Sequence, residues 1–204
     1  MPVRVDLEAK IMGLRAAGDL RGAAGAAVEG YGPEVLGFLV TTMRDEEDAR
    51  EVFAQCCEDL WTGLVRFEGR ASIRTWFYVV ARHAAARFRR SPHRRAARAP
   101  LSEAEELAER VRTRTLPHLQ TAVKDRFAAL RNALDPEDQA LLVLRVDRAM
   151  SFAEIASVLA TDEGDSDEAR ARATARMRKR FQLLKDEIRE RARQAGLLDG
   201  GELE

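Results

Sequence analysis

An all-α fold in two small domains is what this sequence predicts, and three observations carry it. Ala, Leu, Arg and Glu dominate the 204 residues, while runs of Val, Ile, Thr and Tyr that would build strands are nearly absent. Apolar residues recur at three- and four-residue spacing in one segment after another. The third observation is charge segregation. The formal net charge is zero, yet residues 1–65 carry six Lys/Arg against twelve Asp/Glu, and residues 66–100 carry ten Arg against the single acid Glu68. Residues 170–193 carry ten basic side chains against Asp186, Glu187 and Glu190. Fields act over a Debye length of about 8–10 Å, so segregation outweighs the sum. Two basic blocks set apart by acidic stretches point to two contacts with one polyanion.

The elements follow in order. Residues 1–40 read as short helices broken at Gly18, Gly22 and Gly30–Gly32, with Pro33 where a helix can begin. Asp45 caps a clear helix, and Asp48 three residues on makes a weaker capping box. Along it Ala49, Val52, Phe53, Cys56, Leu60 and Leu64 keep helical spacing, while Glu47, Asp48, Glu51, Glu58 and Asp59 make the other face acidic. Gly63 and Phe67-Glu68-Gly69 close it in a loop. The next helix starts near Ser72. Ile73, Trp76, Phe77, Val80, Ala84 and Phe88 form its apolar stripe, and Tyr78, Arg82 and Arg89 fall within about 40° of one another on the opposite, outward face.

SPHRRAARAP, residues 91–100, reads as a linker. Ser102 with Glu105 is a capping box, and Pro117 can open a helix striped with Val123, Phe127, Leu130 and Leu134. Asp135-Pro136 with Asp138 marks another helix start. Ser151 with Glu154 caps the short helix FAEIASVLA, and an acidic turn, TDEGDSD, leads into a long helix from about Asp167 to Arg193. Its stripe is Met177, Phe181, Leu184 and Ile188, with Arg172, Arg176 and Lys179 on the far side. A short bracing helix, a turn and a long basic helix make the outline of a helix-turn-helix, with a longer turn than usual. Arginine suits such a helix because it reads guanine bidentately and neutralises phosphates. A charged, merely solvated helix shares that outline.

Other function classes find little support. His83, His93 and His118 are scattered without metal-ligand spacing to the cysteines, no Gly-rich phosphate loop occurs, and no Ser/His/Asp arrangement can be argued, so the expectation is a non-enzyme with no cofactor and no metal. Cys56 and Cys57 are adjacent and have no further partners, which argues for core fillers in a reducing compartment. The start MPVRVDLEAK lacks an apolar signal core, and no apolar stretch approaches the roughly 20 residues that span a bilayer. A cytoplasmic protein without membrane insertion is expected.

With both basic blocks in hand, the chain resembles a bacterial RNA polymerase sigma factor of the sigma-70 family, in the extracytoplasmic-function class. DEEDAREVFAQCCEDLWTGLVRFEGRASIRTWFYVVARHAAARFRR is similar to that family's region 2, with its acidic D-x-x-D-A start, Leu-Trp, Phe-x-Gly loop, R-T-W and A-R. LDPEDQALLVLRVDRAMSFAEIASVLA resembles region 4 with its E-I-A helix. The resemblance implies a region 2-like domain over 1–95, a partly helical linker over 96–128, a region 4-like helix-turn-helix domain over 129–195 and a tail over 196–204. Core RNA polymerase and promoter DNA are the partners it implies, with an anti-sigma factor as a further one and a monomer when free.

Carried over residue by residue, the resemblance assigns polymerase binding to Asp48, Glu51, Gln55, Glu58, Asp59 and Trp61. It assigns the −10 element, melted and held as a single strand, to Arg70, Ser72, Arg74, Thr75, Trp76, Tyr78, Arg82, His83 and Arg89. The −35 element falls to Arg172, Thr174, Arg176 and Lys179. Departures are Ala54 with Gln55 where the family often has Gln one place earlier, and A-R-H with Arg87 where it has A-R-N-x-x-x-D. Trp76 stays open between a core and a DNA-contacting role. Two rival functions remain: a stand-alone helix-turn-helix regulator, which binds a duplex tightly without polymerase, and a helical adaptor, whose main interaction ignores salt.

Overall fold

The structure, a computed structural model, describes residues 4–90, 104, 106–112, 132–160 and 166–194. Four helices form the N-terminal unit: α1 (Val5–Ala16), α2 (Leu20–Met43), α3 (Glu46–Gly63), followed by a 3-10 turn over Leu64–Arg66, and α4 (Ile73–Arg90). Three more follow: α5 (Pro136–Leu142), which runs into a π-helical turn over Val143–Asp147, then α6 (Phe152–Leu159) and α7 (Asp167–Gln194). The described residues are helical and turn-forming, with no strand among them, as an all-α fold requires.

Local signals account for most helix ends. Asp45 Oδ1 accepts the Asp48 amide at 2.8 Å, and Asp135 Oδ1 accepts those of Glu137 and Asp138 at 2.9 Å. The Ser151–Glu154 capping box is complete, with each residue's side chain bonded to the other's backbone N–H. The Ser102–Glu105 box, the helix expected after Pro117 and most of the acidic turn lie outside the described residues.

The first forty residues differ from expectation. Gly18 does break the chain, at φ +79°, but α2 then runs unbroken through Gly22, Gly25, Gly30, Gly32 and Pro33. Each interior glycine costs about 1 kcal/mol and a proline about 3. Burial offsets that cost, because Ala23, Ala24, Ala27, Val28, Tyr31, Val35, Leu36 and Leu39 are all within 1% of complete burial. Two of the glycines are spacers. A β-carbon on Gly30 would lie 2.3 Å from Leu7 of α1, and one on Gly32 would lie 3.2 Å from both Phe53 and Val111.

The N-terminal core lies between α2, α3 and α4, where Phe53 stacks on Phe77 at 6.5 Å and Phe38 meets Tyr78 edge-on at 5.4 Å. Helical residues 106–112 cover the outside of α2 and α3, burying Leu107, Ala108 and Val111, and Arg112 donates to the Arg50 carbonyl at 3.1 Å. In the C-terminal unit Leu141, Leu144, Met150, Ile155, Val158 and Met177 are buried. Phe152 and Phe181 pack at 5.7 Å, with the guanidinium of Arg145 4.6 Å from the Phe152 ring. The two units touch: α6 packs on α4, and α5 on α2. No helix among the described residues is long and apolar enough to cross a membrane.

Candidate nucleic-acid interface

The site begins at the junction of α3 and α4. Gly63 ends α3 where a methyl group would lie 2.9 Å from Trp76, so the bare glycine lets the indole lie across the helix end. Phe67 packs on the same indole at 5.0 Å. Trp76 is therefore half-buried, one side against Phe67 and Gly63 and the other at the surface. Arg70 sits exposed in the loop and pairs with Glu68 at 2.7 Å. Ser72 is the start signal of α4, its Oγ accepting the Thr75 amide at 3.0 Å.

The outward face expected for α4 is largely covered. Tyr78 is fully buried against Phe38, and burial beside Glu34 pushes its phenol above the ordinary range. A single-stripe helical wheel assumes one packed side, whereas α4 packs on α2, α3 and α6 together. Arg74 is only 1% exposed. Its Nε and Nη2 donate to the two carboxylate oxygens of Glu34 at 2.6 and 2.9 Å, and Nη2 also donates to the Arg148 carbonyl at 3.0 Å. Burial alone would lower this guanidinium, but its bonds to Glu34 outweigh that and raise it above its ordinary value. It stays charged because its fork meets a carboxylate.

Three more contacts close the seam between the units. Thr75 Oγ1 donates to Glu154 Oε1 at 3.3 Å, Arg82 approaches Glu137 at 4.0 Å, and Arg44 donates to the Leu134 carbonyl. A cleft of about 110 Å³ runs beside them, lined by Phe38, Thr42, Arg82, Arg89 and Leu159 among others. Of the expected −10 residues, Arg70, His83 and Arg89 are exposed, and Ser72, Trp76 and Arg82 are half-buried. Arg74, Thr75 and Tyr78 are enclosed. Sequence reasoning missed Glu34, Arg148 and Glu154 as partners of this helix, because each lies 40 to 79 residues from its mate.

On α3 the acidic face is assembled as expected. Gln55 Nε2 donates to Asp59 at 3.1 Å and to Glu58 at 3.4 Å, with Asp48 and Glu51 on the same side by helical spacing. Asp59 also pairs with Arg87 of α4. Trp61 stands apart from this face, half-buried against the core. Cys56 and Cys57 are buried core fillers, and burial pushes both thiols up.

On α7, Arg172, Arg176 and Lys179 are exposed along one side, and the Thr174 hydroxyl turns back to the Arg170 carbonyl at 2.8 Å. Arg180, one residue further round, ties α7 to the start of α5 through Asp138 at 2.5 Å and Glu137 at 2.7 Å. These carboxylates hold the Arg180 guanidinium above its ordinary value against the opposing effect of burial. Among the described residues no cluster of His, Cys, Asp and Glu could hold a metal ion.

Comparison with known proteins fits this geometry. Residues 27–96, from the middle of α2 past the end of α4, match the family model described as Sigma-70 region 2. The RNA polymerase sigma factor YlaC of Bacillus subtilis is 26% identical over 165 residues, which cover 78% of this chain and 92% of that protein. No solved structure gives a significant match. The region 2 match thus falls on the helices that carry the acidic face and the basic junction, and the similarity to a sigma factor extends across both units.

Proposed function

We propose that this chain docks on core RNA polymerase through the acidic face of α3, opens the −10 element at the α3–α4 junction and reads the −35 element through α7. The region 2 match and the similarity to a sigma factor support a role in transcription initiation, with core polymerase and promoter DNA as partners. It is a binding role: the protein adds specificity and favours unpaired over paired DNA, and the polymerase does the chemistry. Unstacking a base costs a few kcal/mol, which aromatic stacking and a basic cradle can offset.

The observation that carries this reading is the opposite charge of two adjoining helices packed in one unit. The acids of α3 line one side, while Arg70, His83 and Arg89 lie on the loop and helix beside it. Burial divides the candidates by role. Arg70, Trp76, His83 and Arg89 are within reach of a strand in the conformation described and Arg82 is so in part, whereas Thr75 and Tyr78 are enclosed. Arg74 holds α2, α4 and the 148 turn together, which makes it a brace rather than a DNA contact. On α7, Arg172, Arg176 and Lys179 offer charge for phosphates and forks for guanine.

Transcription from fragmented genomic DNA with purified core polymerase tests the reading. Promoter-specific transcripts are expected, and the double variant Arg172→Ala/Arg176→Ala should weaken duplex retention and flatten its dependence on salt while leaving core binding intact. Absence of both core association and specific transcripts would refute it.

A further inference from the structure

Two side chains of α1 grip both ends of the segment that joins α3 to α4. At the far end, Glu8 Oε2 accepts the Ile73 amide at 2.9 Å and Oε1 accepts the Arg74 amide at 3.0 Å. With Ser72 taking the Thr75 amide, the N–H groups of the first three residues of α4 are all satisfied, two of them by a residue more than sixty positions away. At the near end, Arg15 donates from Nε to the Leu64 carbonyl at 3.0 Å and from Nη2 to the Phe67 carbonyl at 2.6 Å. Its guanidinium also lies 5.8 Å from the Phe67 ring centre.

Glu8 and Arg15 are two helical turns apart and share one face of α1, roughly 10 Å from one another along the axis. The helix between them is seated firmly. Ile11 is fully buried, and Leu7 lies in the space that Gly30 leaves bare. The whole of α1 lies before residue 27, where the family match begins.

We propose that Glu8 and Arg15 are positioning residues for promoter opening: α1 fixes the take-off of the 67–72 loop and the first turn of α4, so that Arg70 and Trp76 meet the DNA already in place. This rests on the −10 reading above. A loop that must be ordered during strand capture charges its ordering entropy against opening, whereas a loop ordered on folding does not. The Glu8 carboxylate also complements the positive end of the α4 dipole, which secures the register of the first turn.

The test uses holoenzyme assembled from core polymerase and the full chain, on a promoter that is either fully paired or already unpaired across the −10 element. Opening is followed by 2-aminopurine fluorescence at the −10 position. Glu8→Ala, which removes two caps, should slow opening of the paired promoter about tenfold, and the unpaired template should restore it to near the unsubstituted rate. Glu8→Gln, which keeps one acceptor oxygen, should fall between, and Arg15→Lys should lose less than Arg15→Ala. Normal opening by Glu8→Ala, while Arg70→Ala is impaired, overturns the inference and leaves the −10 reading standing. An equal loss on both templates also overturns it, since that reports fewer folded molecules. If Arg70→Ala and Trp76→Ala both open paired DNA normally, the −10 reading falls and takes this inference with it.

Discussion

The two basic helices of this protein put the same side chain to opposite uses. On α4, Arg74 is enclosed, its fork closed on Glu34 and its remaining reach spent on the Arg148 carbonyl. On α7, Arg172 and Arg176 project from a helix whose inner side holds Ala169, Ala173, Met177 and Leu184. Sequence density of arginine is similar in the two blocks. What differs is the number of packed sides: α7 leans on α5 and α6 and keeps a free face, whereas α4 is wrapped by α2, α3 and α6. A basic run is therefore open to a polyanion only where no neighbouring element claims it.

That contrast can be broken first at Arg74. Arg74→Ala leaves the half-buried Glu34 carboxylate without its partner, at a cost near the lower end of the about 3–5 kcal/mol typical of breaking a buried pair. Arg172→Ala should stay within about 0.5 kcal/mol, as surface changes do. Urea denaturation of the two variants compares them directly. Similar losses, or none at Arg74, would mean that the buried fork is not what holds these helices together.

A smaller effect is expected at the seam. Glu137→Lys turns the attraction to Arg82 into repulsion and deprives Arg180 of one of its carboxylates. Like charges in contact oppose association, so α5, and α6 packed beside it, should part from α4 more often. Hydrogen–deuterium exchange should rise over residues 74–82 and stay level in α3. Unchanged uptake over 74–82 would show that the Arg82–Glu137 contact does not hold the units together.

Smallest is the change at Gly63. The added methyl of Gly63→Ala meets Trp76 at 2.9 Å and must displace the indole, at a cost of about 1 kcal/mol for a ring already half at the surface. A shift in tryptophan emission with little loss of stability is the expected result. An emission spectrum identical to that of the unsubstituted protein would contradict the close packing of the indole on the helix end.

Signals that act within one turn of helix were readable in advance. Asp45, Asp135 and the Ser151–Glu154 box announce their helices because a cap and its partner lie within three residues. The apolar stripes of α3, α4 and α7 also follow from spacing, and the order of acidic helix, Phe-x-Gly loop and R-T-W helix carried the family resemblance. The reading of α2 as broken helices failed because it weighed glycine and proline by local propensity. A nearly complete burial of the same segment overrides that preference. Tyr78 failed for the same kind of reason, since a wheel drawn for one helix cannot show its third neighbour.

By itself the sequence determined an all-α chain, its charge division, most of its helix starts and its resemblance to a sigma factor, because composition, periodicity and capping act over a few residues. Tertiary structure alone decided which arginines meet solvent, that Glu154 of the capping box also binds Thr75, and that Glu8 and Arg15 hold the α3–α4 junction. Those pairings join residues 40 to 79 positions apart, where sequence spacing carries no geometric information and packing supplies all of it.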